Sequence, residues 1–196
     1  MKNEKVRKLT VVAMLAALSS VLMFISFPVP LMPGFIKFDF SELPALIASY
    51  AFGGIYGVIV CLVKNLINLP LSTTSGVGEL SNFILGASFV YIAGIFYKLK
   101  KTRTGALSGA LTGSASMALI SMISNYFIVY PFYINVMGMP SEAILGMYRA
   151  INPNIETLWQ ALAVFNVPFT FIKGLVSTVI AFLIYKPLSP ILKGRK

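Results

Sequence analysis

The chain has 196 residues, of which 57% are hydrophobic and only 11% are charged. A water-soluble domain of this length carries about one quarter charged residues and cannot enclose so much apolar surface, so the composition predicts an integral membrane protein. The net charge of +10 comes from the two tails and one short connection, which indicates cytoplasmic anchoring beside a lipid bilayer and excludes a nucleic-acid surface.

The first predicted element is a membrane span over residues 9–27. It follows a basic start at residues 2–8, as in a signal peptide, but the apolar run is too long for a signal core and more apolar segments follow. We therefore expect it to be retained. Ala13 and Ala17 lie four residues apart, a spacing that favours close helix packing, either within the fold or against a partner helix.

The next apolar stretch, residues 41–69, decides the number of spans. Hydropathy alone counts five, but Lys and Arg favour the cytoplasm, so the basic start, the connection 98–103 and the basic tail should share one side. The stretch must then cross twice, with a turn at Gly53 and Gly54. Both halves are short for a hydrocarbon core of about 30 Å, which predicts that they flank a protected binding site.

These arguments predict an all-α integral membrane protein with six transmembrane helices, both termini in the cytoplasm and extracellular capping loops. We expect one membrane domain over residues 1–196. The approximate spans are 9–27, 41–52, 54–69, 79–97, 105–130 and 160–185. The long outer connection, residues 131–159, is either a cap over a site or a loosely folded loop.

Polar side chains in the third, fourth and fifth spans form the first candidate set. Lys64 and Asn68 lie in the third span, Glu79 and Asn82 begin the fourth, and Asn125 ends the fifth. Polar groups in membrane helices either join helices or mark a substrate path, and these could converge near the outer side. Glu79 also has a simpler interpretation, since an acid in the first turn offsets the helix dipole.

The last span carries the sharpest polar pattern. Asn166, Thr170, Lys173 and Ser177 follow at spacings of four, three and four, so they form one stripe on an apolar helix. Pro168 lies within the stripe and is expected to kink the helix. Lys173 could snorkel toward an interface, but it lies far from both ends of the span, which favours a site.

Several chemistries are absent from the sequence. The chain has no histidine and a single cysteine, Cys61, so the usual soft metal sites and an internal disulfide are not expected. It has neither a Gly-x-x-x-x-Gly-Lys-Ser/Thr loop nor a Gly-x-Ser-x-Gly elbow. We therefore predict a protein that is not an enzyme, has no cofactor, and binds a polar, uncharged or weakly anionic organic ligand with an energy source elsewhere.

Residues 27–46 carry a resemblance to a known family. A proline-rich lead followed by Asp-Phe-Ser-x-x-Pro at residues 39–44 resembles the first loop and second span of riboflavin-specific substrate-binding components of energy-coupling factor (ECF) transporters. The likeness extends along the chain through the short motifs Lys64-Asn65, Gly78-Glu79, Asn82-Phe83, Pro168-Phe169 and Lys173-Gly174.

The resemblance implies a six-helix component in a prokaryotic cytoplasmic membrane. Such a component binds riboflavin from outside and docks on a transmembrane coupling subunit with two ATP-binding subunits. In this family the alanine-rich face of the first span contacts the coupling subunit, which maps onto Ala13 and Ala17. Its polar vitamin contacts map onto Asn125, Thr170 and Lys173.

The chain departs from the family pattern at one position. The family often has an asparagine three residues before the lysine, where this chain has Thr170. Asn166, one turn earlier, could supply that amide. The complete set of predicted substrate-binding residues is Phe38, Asp39, Phe40, Lys64, Asn68, Glu79, Asn82, Asn125, Asn166, Thr170 and Lys173.

Riboflavin also fits the composition, because its flat apolar ring needs apolar walls and a few placed donors and acceptors. Phe35, Phe38 and Phe40 are candidate walls, and Trp159 better fits an interfacial aromatic belt. Three alternatives stay open: a component for thiamine, biotin or pantothenate; a standalone secondary carrier or small channel; and a membrane assembly factor without a small ligand.

Overall fold

A computed structural model describes the backbone of residues 2–193 and the side chains of residues 4–185. The side chains of the basic tail, Lys186, Lys193, Arg195 and Lys196, therefore lie outside the described residues. Helices dominate the described part of the chain. They are α1 (Lys2–Phe24), α2 (Glu42–Phe52), α3 (Gly54–Asn68), α4 (Val77–Leu99), α5 (Arg103–Ser124), α6 (Tyr130–Asn135), α7 (Ser141–Arg149), α8 (Leu158–Ala161) and α9 (Val167–Lys193).

Irregular elements join some of these helices. A 3-10 turn, Leu69–Leu71, continues α3, and π-helical turns at Asn125–Val129 and Leu162–Asn166 connect α5 to α6 and α8 to α9. Two short strands, β1 (Phe27–Pro28) and β2 (Lys37–Phe38), pair antiparallel. The first predicted span, 9–27, therefore ends earlier than expected, because the chain leaves the helix after Phe24 to form this pair.

Five helical stretches of the described residues are long and apolar enough to cross a membrane. They are Glu4–Phe24, Gly54–Leu71, Val77–Leu99, Arg103–Asn135 and Leu158–Tyr185. Helix α2 has only 11 residues and does not meet that length. The sixth span therefore remains a prediction. Leu9, Leu119 and Leu183 are more than 60% exposed, as expected where lipid replaces water as the solvent.

Helices α2 and α3 form an antiparallel hairpin that turns at Gly53. Its φ of 109° is a conformation that glycine adopts readily, and the helix breaks there. Gly57 lies against α2, since a Cβ at this position would approach the carbonyl oxygen of Ala45 to 2.8 Å. Residues 42–50 of α2 are all buried. Protein therefore shields the short helix, which is the condition under which such a helix is stable in a membrane.

Small residues let α5 pack closely against α4 and α9. A Cβ at Gly109 would lie 2.8 Å from the carbonyl oxygen of Ala93 on α4, and one at Gly113 would lie 2.6 Å from that of Phe89. On the other side of α5, Ser114 lies against Gly174 of α9. The glycine repeat at the start of the fifth predicted span is thus used for packing within the fold.

The long connection between α5 and α9 is folded. Ile144 and Tyr148 of α7 are fully buried and pack in an apolar cluster with Leu162 and Tyr133. Arg149 closes the C-terminal end of α7, because its Nε donates to the carbonyl oxygen of Ile155 at 2.8 Å. The segment 131–159, called the cap below, is therefore folded rather than a loose loop.

Candidate substrate-binding site

A cavity of about 380 Å³ lies between α1, the segment that joins α1 to α2, and helices α4, α5 and α9. This volume is within the range that holds small organic ligands. Apolar side chains supply much of its wall, chiefly Phe35, Ile36, Leu85, Met117 and Phe169. The cavity can therefore enclose a flat apolar group between aromatic and aliphatic surfaces.

Most of the polar residues predicted from the sequence line this cavity. Asn68 comes from α3, and Glu79 and Asn82 come from the first turns of α4. Asn125 begins the π-turn after α5, and Asp39 follows β2. The chain therefore brings together polar groups from four separate segments around one cavity.

Helix α9 contributes the predicted stripe. Asn166, Thr170 and Lys173 all line the cavity, and each is 5–6% exposed. Ser177, the next residue of the stripe, is fully buried below them. The spacing thus places these four side chains on the inner face of the helix, as a 3.6-residue period requires.

Three predicted substrate residues lie behind the cavity wall instead of on it. The ring centroids of Phe38 and Phe40 lie 5.2 Å apart in an edge-to-face arrangement, and the centroid of Phe38 lies 6.2 Å from that of Phe169. This aromatic group therefore supports the cavity wall from behind. Lys64 is fully buried within a group of charged residues. Trp159 contacts Tyr126 at 5.4 Å and is 48% exposed, consistent with an interfacial position.

Four charged residues form a buried ionic cluster beside the cavity: Asp39, Glu42, Lys64 and Lys173. Lys173 Nζ lies 2.9 Å from Asp39 Oδ2 and 3.2 Å from Glu42 Oε2. Lys64 Nζ lies 3.2 Å from Glu42 Oε1 and also donates to the hydroxyl of Ser41. Two acids and two lysines balance, so the cluster has no net charge, as burial at this depth demands.

Asp39 remains ionised in this cluster. Burial alone raises the pKa of a carboxyl group, but the charges of Lys173 and Lys64, together with hydrogen bonds from the Ser41 side chain and from Lys173, outweigh it. Together they lower the pKa of Asp39 from 3.8 to about 2. Its carboxylate is therefore a permanent anchor for Lys173 at physiological pH.

The sequence analysis did not select Glu42, which contacts both lysines. A signal was available, since two lysines inside predicted spans each need an acidic partner and the chain has only 6 Asp and Glu. Glu42 follows Asp39 by three residues and begins α2. Which lysine each acid meets depends on tertiary packing, so the pairing itself was not readable.

A second buried group, the tyrosine cluster, consists of Tyr130, Tyr148 and Asn166. Tyr148 Oη donates to Asn166 Oδ1 at 2.7 Å, and the hydroxyls of Tyr130 and Tyr148 are hydrogen-bonded to each other. Phe35, in the loop between α1 and α2, makes edge-to-face contacts with three tyrosine rings. Its ring centroid lies 6.0–6.4 Å from the centroids of Tyr130, Tyr133 and Tyr148. The cap and the first loop thus meet beside the cavity.

Two of the cavity asparagines lie in π-helical turns. The Tyr130 amide donates to the carbonyl of Asn125, the first residue of one turn, and Asn166 is the last residue of the other. Each turn ends two residues before a proline, Pro131 or Pro168. A proline has no N–H for the regular helical bond, which explains why the helix rearranges there. The sequence indicated a distortion at Pro168 but not its type.

The rim of the cavity has its own polar contacts. Ser72 and Thr74 donate to Glu79 Oε2 at 2.6 and 3.4 Å, so the Glu79 carboxylate orders the loop before α4. Asn82 Oδ1 accepts a 3.3 Å bond from Asn65, and this bond joins α4 to α3. These residues have structural partners and also face the cavity.

Ala13 and Ala17 lie far from this chemistry, on α1. Both are exposed, whereas Val12, Leu15 and Ala16 of the same helix are buried. The alanine face therefore does not pack within the described fold.

The chain matches a family model described as "ECF transporter, substrate-specific component" over residues 7–185. It is 34% identical over 187 residues to the riboflavin transporter RibU of Staphylococcus aureus (strain TCH60), covering 95% of this chain and 93% of the relative. It is 32% identical over 189 residues to the riboflavin transporter FmnP of Bacillus subtilis (strain 168), covering 95% and 94%.

A solved structure has the same fold. The chain superimposes with a TM-score of 0.76 and 34% sequence identity on a protein described as the S component of a bacterial ECF transporter. The match covers 98% of this chain and 99% of the other.

Proposed function

Because the chain belongs to the family of substrate-specific components of ECF transporters, we propose that it captures riboflavin in this cavity and delivers it across the membrane together with an ATP-driven module. The family consists of transport components, and the chain is not an enzyme. It is a multi-pass membrane protein, and we propose the cell membrane as its location. Riboflavin is its substrate and no cofactor takes part.

The observation that carries the proposal is the combination of apolar walls and neutral polar groups in one cavity. Riboflavin has a flat ring system edged with carbonyls and nitrogens and a hydroxylated tail, so it needs both kinds of surface. Phe35, Met117 and Phe169 offer walls for the ring. Asn125 and Thr170 offer hydrogen bonds without adding charge, and Lys173 and Asp39, which also line the cavity, neutralise each other as a 2.9 Å ion pair. An uncharged, ring-shaped ligand fits this lining better than a strongly ionic one.

Purified protein tests the proposal through the change in riboflavin fluorescence on binding, with thiamine, biotin and pantothenate then added separately as competitors. Thr170→Val keeps the shape of the side chain but removes the hydroxyl, so we expect riboflavin affinity to fall about 5- to 150-fold. Thr112→Val is the matched control, since Thr112 is exposed on α5 and bonds its own helix. Equal binding of thiamine, or no binding of riboflavin, would overturn the proposal.

Six spans with both termini in the cytoplasm are the topology that we propose for this function. The hairpin turn at Gly53, together with the basic residues at 2–8 and 98–103, supports it. Single cysteines at residues 53 or 54 should react with a reagent applied from the cytoplasm, and those at 74 or 140 with one applied outside. Native Cys61 is fully buried, and a Cys61→Ser background removes it from the assay. External labelling at 53 would contradict this topology.

We propose the exposed face around Ala13 and Ala17 as the contact for the coupling subunit, which works with two ATP-binding subunits. Small side chains there let another helix approach closely. Ala13→Trp with Ala17→Trp should abolish uptake and co-purification with the coupling subunit while riboflavin affinity stays near normal. Leu119→Trp, at a 62% exposed position on α5, is the control for added bulk. Uptake that persists without any coupling ATPase would instead identify a standalone carrier.

A further inference from the structure

The side chain of Asn166 lies between the cavity and the cap. It lines the cavity, is 5% exposed, and its Oδ1 accepts the 2.7 Å bond from Tyr148. Tyr148 is fully buried on α7 and does not itself line the cavity. Any effect of the Tyr148 hydroxyl on a ligand must therefore act through Asn166.

The direction of the hydrogen bonds in the tyrosine cluster follows from counting hydrogens. The Tyr148 hydroxyl has one hydrogen, and its 2.7 Å bond gives that hydrogen to Asn166 Oδ1. In the bond between the two hydroxyls Tyr130 is therefore the donor. The Tyr130 hydroxyl also interacts with the Asn166 side chain, so the three polar groups form one cluster.

This direction fixes the orientation of the Asn166 amide. Its oxygen is occupied by Tyr148, so its NH2 group is the part left for the cavity. Asn166 thus presents a donor, and the ligand atom opposite it must be an acceptor, such as a ring carbonyl oxygen or an unprotonated ring nitrogen.

We propose that Tyr148 of the cap is a positioning residue that holds the Asn166 amide with its NH2 group directed at an acceptor of the bound flavin ring. This inference rests on riboflavin as the ligand. The cap then contributes to recognition without touching the vitamin, because its hydroxyl determines whether Asn166 offers a donor or an acceptor.

Tyr148→Phe tests the proposal, because the ring that fills the cap remains and only the hydroxyl is lost. We expect riboflavin affinity to fall about 2- to 12-fold, the value of one hydrogen bond. The visible absorption bands of the fully loaded protein should also shift, since the flavin ring loses a donor. Tyr91→Phe is the matched control, because Tyr91 is 46% exposed on α4 and does not line the cavity, so both affinity and spectrum should stay near those of the wild type.

A double-mutant cycle distinguishes positioning from packing. With Asn166→Ala already present, Tyr148→Phe should cause no further loss of affinity, because the two residues act through one amide. Additive losses, an unchanged affinity in Tyr148→Phe, or an unchanged spectrum of the loaded protein would overturn the inference. In each of these cases the wild type still binds riboflavin and the proposed function stands. A wild type that binds no riboflavin overturns both.

Discussion

The ionic cluster and the tyrosine cluster border the same cavity but differ in what they leave unpaired. In the ionic cluster each lysine contacts a carboxylate, and the charges of Asp39, Glu42, Lys64 and Lys173 cancel. In the tyrosine cluster Tyr148 bonds the Asn166 oxygen, and by our inference the Asn166 NH2 group is left for a ligand. The charges of the first cluster therefore balance without a ligand, whereas the second cluster leaves a donor for one.

The two clusters also connect different parts of the chain. Lys173 bonds Asp39 across 134 positions of sequence, so the ionic cluster joins the first loop and the α2–α3 hairpin to α9. The tyrosine cluster joins α6 and α7 to the π-turn before α9. Lys173 is therefore first a structural anchor, and its substitution tests folding and binding at once. This is why Thr170→Val is the sharper probe of the ligand.

Removing Glu42 should have the largest effect on this comparison. Glu42→Ala leaves Lys64 and Lys173 with only Asp39, and an uncompensated buried charge lowers the free energy of unfolding by about 3–5 kcal/mol. Denaturant unfolding of the purified protein without ligand measures this loss. Glu142→Ala is the control, because Glu142 pairs with Arg149 at 77% exposure and its loss should cost about 0–1 kcal/mol. Equal losses in the two variants would show that the ionic cluster is not a structural anchor.

A smaller effect is expected when charge is removed in balance. Glu42→Gln and Lys64→Met each leave an excess charge, but the double variant keeps the 2.9 Å pair between Lys173 and Asp39. We expect the double variant to be more stable than the sum of the single losses predicts, by about 0.5–3 kcal/mol. The same unfolding assay on all four proteins gives this coupling. Strict additivity would mean that Lys64 and Glu42 do not interact.

The sequence predicted the parts of this arrangement that depend on helical periodicity and on the free-energy cost of placing polar groups in an apolar helix. The stripe Asn166, Thr170 and Lys173 was readable because charge and amides are expensive in an apolar helix and their spacing places them on one face. The turn at Gly53 was readable because charge parity required it. Both arguments use positions along the chain and need no knowledge of packing.

The remaining features depend on contacts between distant segments. Phe35 lines the cavity and Phe38 supports it from behind, although both lie in the same loop and have the same side chain. Only the packing of that loop against the cap and α9 decides which ring faces inward. The role of Tyr148 was missed for the same reason, since α7 lay in a segment for which the sequence left a cap and a loose loop equally open.

The smallest expected effect is that of pH. Its direction differs between the two clusters, because acid weakens the ionic cluster and alkali weakens the tyrosine cluster. The pKa of Asp39 is lowered to about 2, so its contribution to stability is present above 3.8 and is lost as the pH falls through about 2. Burial raises the pKa of Tyr148 from 10.0 to about 12, although its hydrogen bonds with Tyr130 and Asn166 oppose the shift. Its contribution is therefore present below 10 and is lost as the pH rises through about 12.

Neither Asp39 nor Tyr148 changes protonation between pH 5 and pH 9 by these values, and the chain has no histidine, the side chain that ordinarily titrates there. We expect riboflavin affinity and the midpoint of thermal unfolding to stay nearly constant, with affinity changing less than about twofold. Titration of the purified protein in buffers across this interval measures both. A tenfold change in affinity per pH unit would mean that a proton moves in one of the clusters. Outside this interval the two clusters should respond to opposite changes of pH. Acid should disrupt the ionic cluster first, because only that cluster depends on a carboxylate. Alkali should disrupt the tyrosine cluster first, because only that cluster depends on neutral phenols.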